Sequence, residues 1–164
     1  MLDLLPDLFD YYEDKLTLVQ SNWNTYGGKT IFYGEIVTVK CFEDNSKVKS
    51  TLASSGKGKV LVVDGGGACR RALLGDMIAE SAANNEWEGI IIYGAVRDVG
   101  TLATIDIGVQ ALASNPIKTD KKDVGLVNAN IEIAGVTIKP NMMVYADKNG
   151  IAVSEKPLDL MVLS

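Results

Sequence analysis

Histidine is absent from this 164-residue chain. That lack excludes the commonest general base, the commonest zinc ligand and every triad built on an imidazole. Acid–base chemistry here must come from carboxylates, lysine, tyrosine, a metal-held water or backbone dipoles. Cysteine is scarce. Cys41 and Cys69 are too few for a disulfide framework and read as buried structural thiols of a reducing compartment. No apolar run approaches the ~18 residues that a membrane-spanning helix needs. The start, Met1-Leu2-Asp3-Leu4-Leu5-Pro6-Asp7, is acidic and has no basic segment of the kind that opens a signal peptide. A cytoplasmic protein is expected. Positive charge is in deficit, with 16 Lys and Arg against 21 Asp and Glu, a net charge of −5 and a pI near 4.7. Nucleic acid wants a basic face, and so does an anionic membrane, so neither is expected as a partner.

What is present suits one globular domain with a sizeable core: 47% hydrophobic residues and 23% charged. No internal repeat or domain boundary is visible. The leucines and tyrosines from Leu4 to Leu16 recur at near-helical spacing and predict a helix over Asp3 to Val19, with Pro6 in its first turn. Asn24 to Lys29 reads as a turn, and Ile31 to Phe42 as a strand or hairpin. Asn45 to Ser54 reads as a short helix. Val60-Leu61-Val62-Val63 is a buried strand closed by Asp64-Gly65-Gly66-Gly67, a tight crossover rather than a phosphate loop. Asp76 is placed to cap a helix opened by Met77 and Ile78 and ended by Asn84-Asn85. Ile90 to Tyr93 then completes a parallel strand–helix–strand unit. Leu102 to Asp106 and Val109 to Ala113 read as short amphipathic or irregular segments. Lys118 to Asp123 is a solvated charge cluster. The end is β-like and includes an Asn-Gly type hairpin at Asp147-Lys148-Asn149-Gly150.

Arg97-Asp98 follows the Ile90 strand directly. Open α/β sheets bind ligands at the carboxyl ends of such strands. A guanidinium there can grip a carboxylate through two parallel N–H bonds. An aspartate supplies hard oxygen for magnesium or manganese. Alternatively the pair meets other side chains and caps the sheet edge. Lys40 and Lys59 carry no sign of the desolvation that a Schiff-base lysine needs. Cys69 stands beside Arg70 and Arg71, which could lower its pKa.

These stretches resemble one family across nearly the whole chain. The most telling are Val37–Asn45, Val60–Gly67, Arg70–Asp76, Trp87–Asp98 and Val144–Gly150. The family includes the regulator of ribonuclease E activity A and the class II 4-hydroxy-4-methyl-2-oxoglutarate aldolases. The resemblance implies a three-layer swivelling β/β/α fold, like phosphohistidine domains, in a homotrimer with sites between subunits. It implies that Gly75-Asp76 opens a helix whose Met77 and Ile78 amides bind the pyruvyl carboxylate. It further implies that Arg97 binds substrate and that Asp98 holds a divalent magnesium or manganese ion. Two positions depart from the aldolase pattern. Thr101 stands where an acidic residue is expected, and Glu155 and Asp159 are the acidic residues nearest the place of a glutamate lent by a neighbouring subunit.

The implied chemistry suits a histidine-free chain. Cleaving a 4-hydroxy-2-oxo acid and decarboxylating oxaloacetate both pass through the enolate of pyruvate. A cation on Asp98 and the Arg97 guanidinium would stabilise the oxygen charge. Asp76 would hold a water that acts as base toward the 4-hydroxyl. Read as structure alone, Asp76 is a plain helix cap and Gly75 a turn. The family also implies another role, a non-catalytic regulator that binds and inhibits ribonuclease E. For assembly, Trp23, Tyr26 and Phe32 are candidate aromatic anchors of a subunit interface.

Overall fold

The computed structural model of the protein describes residues 1–163. Helix α1 (Leu5–Tyr12) and a 3-10 turn (Glu13–Lys15) lead to β1 (Thr17–Leu18), β2 (Asn24–Thr25) and β3 (Phe32–Lys40). Then come α2 (Ser46–Leu52), β4 (Lys59–Asp64), β5 (Ala72–Leu74), α3 (Asp76–Asn84), β6 (Gly89–Val96), α4 (Val99–Leu102) and β7 (Gly108–Ser114). Five short strands finish the sheet region: β8 (Leu126–Val127), β9 (Ile131–Ile133), β10 (Val136–Ile138), β11 (Met143–Asp147) and β12 (Gly150–Ser154). A 3-10 turn, Leu160–Leu163, follows.

The centre is a sheet ordered β1-β12-β11-β3-β4-β6-β7-β2, with β5 added beside β6 and β8 beside β3. Strands β3, β4, β6 and β7 run parallel. Alternation along the buried strands sorts side chains onto two faces. Leu61, Val63, Ile90 and Ile92 meet Val48 and Leu52 of α2 and Ala79 and Ala82 of α3. Val60, Val62 and Ile91 turn the other way, onto Ile131, Ile133 and Ile138 of the β9–β10 ribbon and Val144 and Val153. Helices, central sheet and a second β layer therefore stack as the expected β/β/α arrangement. Each such aliphatic side chain stabilises the stack by about 1.5–3 kcal/mol on leaving water.

Strand β5 decides where the site lies. It pairs parallel with the far end of β6, with Ala72 opposite Ala95 and Leu74 opposite Val96. Both strands run out at the same edge, so Gly75-Asp76 and Arg97-Asp98 emerge side by side. The Arg97 N–H donates to the Leu74 carbonyl at 2.9 Å and fastens the two exits together.

Several elements differ from the sequence reading. The first helix ends at Tyr12, not Val19, because Leu16 turns extended and Thr17–Leu18 pairs with β12 instead. The Asn24 segment is a short strand on β7, and Val109 to Ala113 lies inside β7 rather than in an irregular segment. Within Ile31 to Phe42 a single strand, Phe32–Lys40, forms rather than a hairpin. Residues 99–102 form α4, and turns follow. Lys148 and Asn149 keep negative φ, so the final hairpin is not the Asn-Gly turn. Gly150 takes the positive φ of +145°, and the Asp147 carboxylate accepts the Asn149 N–H at 2.7 Å. Phe32 is a core residue, 1% exposed, not an interface anchor. Its ring lies over Gly89 and Gly108, which face each other across β6 and β7; a Cβ on either would fall within 2.2 Å of that ring. Cys41 is buried, whereas Cys69 is only half-buried. The neighbouring arginines do not activate Cys69. Arg70 pairs with Glu43 and Arg71 with the Lys118 carbonyl, and burial pushes the thiol up.

Candidate active site at the paired strand ends

Four residues converge at the shared exit of β5 and β6. Asp98 adopts the left-handed backbone conformation, φ +56° and ψ +39°, at the start of α4. Aspartate tolerates this region better than most residues. The turn aims the Asp98 carboxylate back at the start of α3, where its Oδ2 accepts the Asp76 N–H at 3.0 Å. Asp98 thus caps α3 from outside the helix. Asp76 is not the N-cap that its position suggested but the first helical residue, and Gly75 is the boundary. The Asp76 Oδ1 accepts the Met77 N–H at 2.8 Å. Of the two amides expected for a substrate carboxylate, Met77 is therefore held by its neighbour's side chain. Ile78 stands at a position where helix geometry leaves the N–H without an intrahelical acceptor. Both amides lie in the first turn of α3, at the positive end of its dipole.

Gly75 is required by space. Its φ of −135° is ordinary extended backbone, but a Cβ there would lie 2.7 Å from Asp98 Oδ2 and 3.3 Å from Arg97 Nε. The Arg97 Nε and Asp98 Oδ2 are 3.9 Å apart, with about a third or more of each side chain exposed, 39% and 36%. A pair this long and this wet contributes no more than about 1 kcal/mol. Most of the five guanidinium donors remain for a ligand.

These groups line a cavity of about 260 Å³ between α2 and α3. Gly75, Asp76, Met77, Ile78, Arg97 and Asp98 all belong to its wall, so the structure brings every sequence-predicted site residue together. Lys40 and Lys59 do not line it. The sequence reading missed Lys49, Lys118 and Lys121, which do. In the sequence, Lys118 and Lys121 belong to a charge cluster that reads as solvated. The available signal was their abundance of positive charge in an acidic chain.

Among the described residues, no group of three or more Cys, Asp or Glu side chains is arranged to hold a metal ion. A zinc centre, which takes three or four protein ligands, does not fit. Asp98 with Asp76 offers one or two carboxylates on an open cavity. That donor set fits magnesium or manganese, which keep several waters and take only one or two protein carboxylates.

The chain as a whole is similar to known proteins. A protein of Shewanella oneidensis named "Putative 4-hydroxy-4-methyl-2-oxoglutarate aldolase" is 59% identical over 164 residues, covering 100% of both chains. A Pseudomonas fluorescens protein of the same name is 57% identical over 157 residues, 96% of each chain. Among solved structures, the RNA-processing inhibitor RraA from Thermus thermophilis superposes with a TM-score of 0.92 at 36% identity, covering 97% of this chain and 96% of that one. A Geobacillus kaustophilus structure titled S-adenosylmethionine: 2-dimethylmenaquinone methyltransferase gives 0.93 at 40% identity, covering 95% and 97%. One fold thus carries three unlike names, and the site must discriminate among them. Residues 4–153 match the RraA-like description, Aldolase/RraA, and the chain belongs to that family.

Proposed function

We propose that the protein is a divalent-metal-dependent lyase that releases pyruvate from 4-hydroxy-4-methyl-2-oxoglutarate and also decarboxylates oxaloacetate. The carrying observation is the meeting of the Arg97 guanidinium, the Asp98 carboxylate and the α3 N-terminus in one cavity. The names of the relatives at 57–59% identity support the aldolase half of this reading.

The substrate's 1-carboxylate sits at the α3 N-terminus, accepting from Ile78 and from Met77 once Asp76 releases it. Arg97 donates to the 2-oxo oxygen, where negative charge develops as the C3–C4 bond breaks. Asp98 and Asp76 would hold magnesium or manganese, which when bound supplies Lewis-acid stabilisation of that same oxygen. The freed Asp76 carboxylate orients a water toward the 4-hydroxyl proton. Assay of pyruvate release with magnesium or manganese tests the reading.

We further propose a homotrimer with the cavity at a subunit boundary. Two carboxylates fall short of the roughly six oxygens a hard cation wants, and water or a neighbour supplies the rest. Met77, on the cavity wall, is 80% exposed, an unusual place for a methionine unless something covers it. Light scattering at micromolar concentration tests this; a stable monomer refutes it.

A second reading has one observation in its favour, the 0.92 superposition on a structure titled an RNA-processing inhibitor. In it the chain binds and inhibits ribonuclease E, its acidic surface meeting basic, disordered segments of the enzyme. A salt-sensitive pull-down supports this reading, and absence of binding ends it.

A further inference from the structure

A second cavity lies away from the paired strand ends, where β3 and β4 begin. It measures about 600 Å³, against about 260 Å³ for the cavity between α2 and α3, and the two share no lining residue. Alternation along the strands explains its wall. On the face that α2 covers, β3 presents Glu35, Val37 and Val39, and β4 presents Lys59, Leu61 and Val63. Val39, Leu61 and Val63 are buried under α2 and α3. Helix α2 ends at Leu52 and leaves the start of this row open. Glu35 there is exposed and Lys59 half-buried.

Glu35 and Lys59 stand opposite each other in register, and both line the cavity. Among the described residues neither side chain joins an ion pair or a hydrogen bond. A carboxylate and an ammonium thus face one cavity side by side, each without a protein partner. Further along β3 the wall turns apolar. Val37 is half-buried there, and Val127, which pairs with Val39 and so faces the same side, is 43% exposed.

Two asparagines close the rim. The Asn141 N–H donates to the Ile36 carbonyl at 3.0 Å, and the Asn128 N–H to the Thr38 carbonyl at 2.9 Å. Both hold left-handed backbone, φ +74° and +62°, which asparagine tolerates. Their backbones are fixed to β3, while their carboxamides have no protein partner among the described residues.

We propose that this cavity binds a free α-amino acid with an aliphatic side chain. Glu35 accepts from the ligand's ammonium and Lys59 donates to its carboxylate, both as charge-assisted bonds. The hydrocarbon lies on Val37 and Val127, out of water. One charge of each sign disfavours a dianion such as the substrate proposed above. The exposed valine disfavours a polyol.

Calorimetric titration with three probes tests it. L-Leucine carries both charges, isocaproate lacks the ammonium, and isoamylamine lacks the carboxylate. L-Leucine should bind about tenfold more tightly than either analogue, the scale of one charge-assisted hydrogen bond. Glu35→Gln should weaken L-leucine by a like factor and leave isocaproate unchanged. Lys59→Met should weaken L-leucine and leave isoamylamine unchanged. A merely structural role for either residue would weaken all three probes together. No saturable binding of L-leucine at millimolar concentration overturns the proposal. So does equal binding of the three probes, or undiminished L-leucine binding in both variants.

Discussion

Gly75 and Asp98 cannot both carry side chains where they stand: a Cβ on Gly75 would sit 2.7 Å from Asp98 Oδ2. The carboxylate occupies the space that the glycine leaves, and there it reaches the Asp76 N–H at 3.0 Å. Neither strand exit alone makes the site. Gly75→Ala should push the Asp98 carboxylate out of line and cut pyruvate release at least tenfold, the expected order for a misplaced catalytic group. Its φ of −135° suits alanine, so melting should fall by only a few degrees. Rate and melting temperature measured together check both halves.

Arg97→Lys keeps the charge and loses the planar fork. If Arg97 grips substrate, kcat/KM should fall about tenfold to a hundredfold, the worth of one or two charge-assisted bonds. Steady-state kinetics on purified variants gives the number. An unchanged kcat/KM would return Arg97 to the role of a sheet-edge side chain.

Asp44 makes stability depend on acid. Burial pushes its carboxyl up, but the Ser46 hydroxyl and the N–H groups of Ser46, Val124 and Lys122 outweigh that and hold it at about 2 against an ordinary 3.8. A carboxylate with a depressed folded pKa contributes stability that is complete above its unfolded value and lost on acidification. The Asp44 share should therefore be intact above about pH 4 and drain away toward pH 2. Asp147 is lowered in the same sense: burial raises it, and bonds from Leu5, Leu4 and Asn149 prevail. Asp44→Asn should flatten the acid limb of a melting-temperature profile and cost about 2 kcal/mol near neutrality.

The two cysteines should differ from reactive thiols in the folded protein. Burial first, then the Asp44 and Asp64 carboxylates, push Cys41 up to about 12. Burial also raises Cys69. A colourimetric thiol reagent at pH 7.5 should leave Cys41 untouched, label the half-buried Cys69 slowly, and titrate both after unfolding. Rapid native labelling of Cys41 would contradict its buried position.

Much of this was legible in the sequence, for identifiable reasons. Ile90 to Ile92 and Val60 to Val63 are continuous β-branched and aliphatic runs, and such runs read as strands because both faces are buried. Arg97-Asp98 stood out because a charged pair lies a few residues beyond such a run, where open α/β sheets place their ligands. Strand β5 was not legible: three residues, Ala72 to Leu74, carry no period, and only their pairing with β6 makes them a strand. The cap of α3 is hidden for a similar reason. Asp76 has the right residue type, but the carboxylate that reaches the helix end belongs to Asp98, 22 residues on. The cavity lysines were hidden because they come from α2 and from the segment after β7, which long-range contacts of Asp44, Thr119 and the Lys47–Asp123 pair bring together.

The proposed lyase depends on a catalytic divalent ion held by Asp98. Pyruvate release from 4-hydroxy-4-methyl-2-oxoglutarate, followed with manganese or magnesium and then with excess EDTA, decides whether it is there. Turnover should appear with the metal, vanish in EDTA, return on readdition and be absent from Asp98→Ala. Full activity in EDTA, or borohydride trapping of the substrate on a lysine, would contradict it.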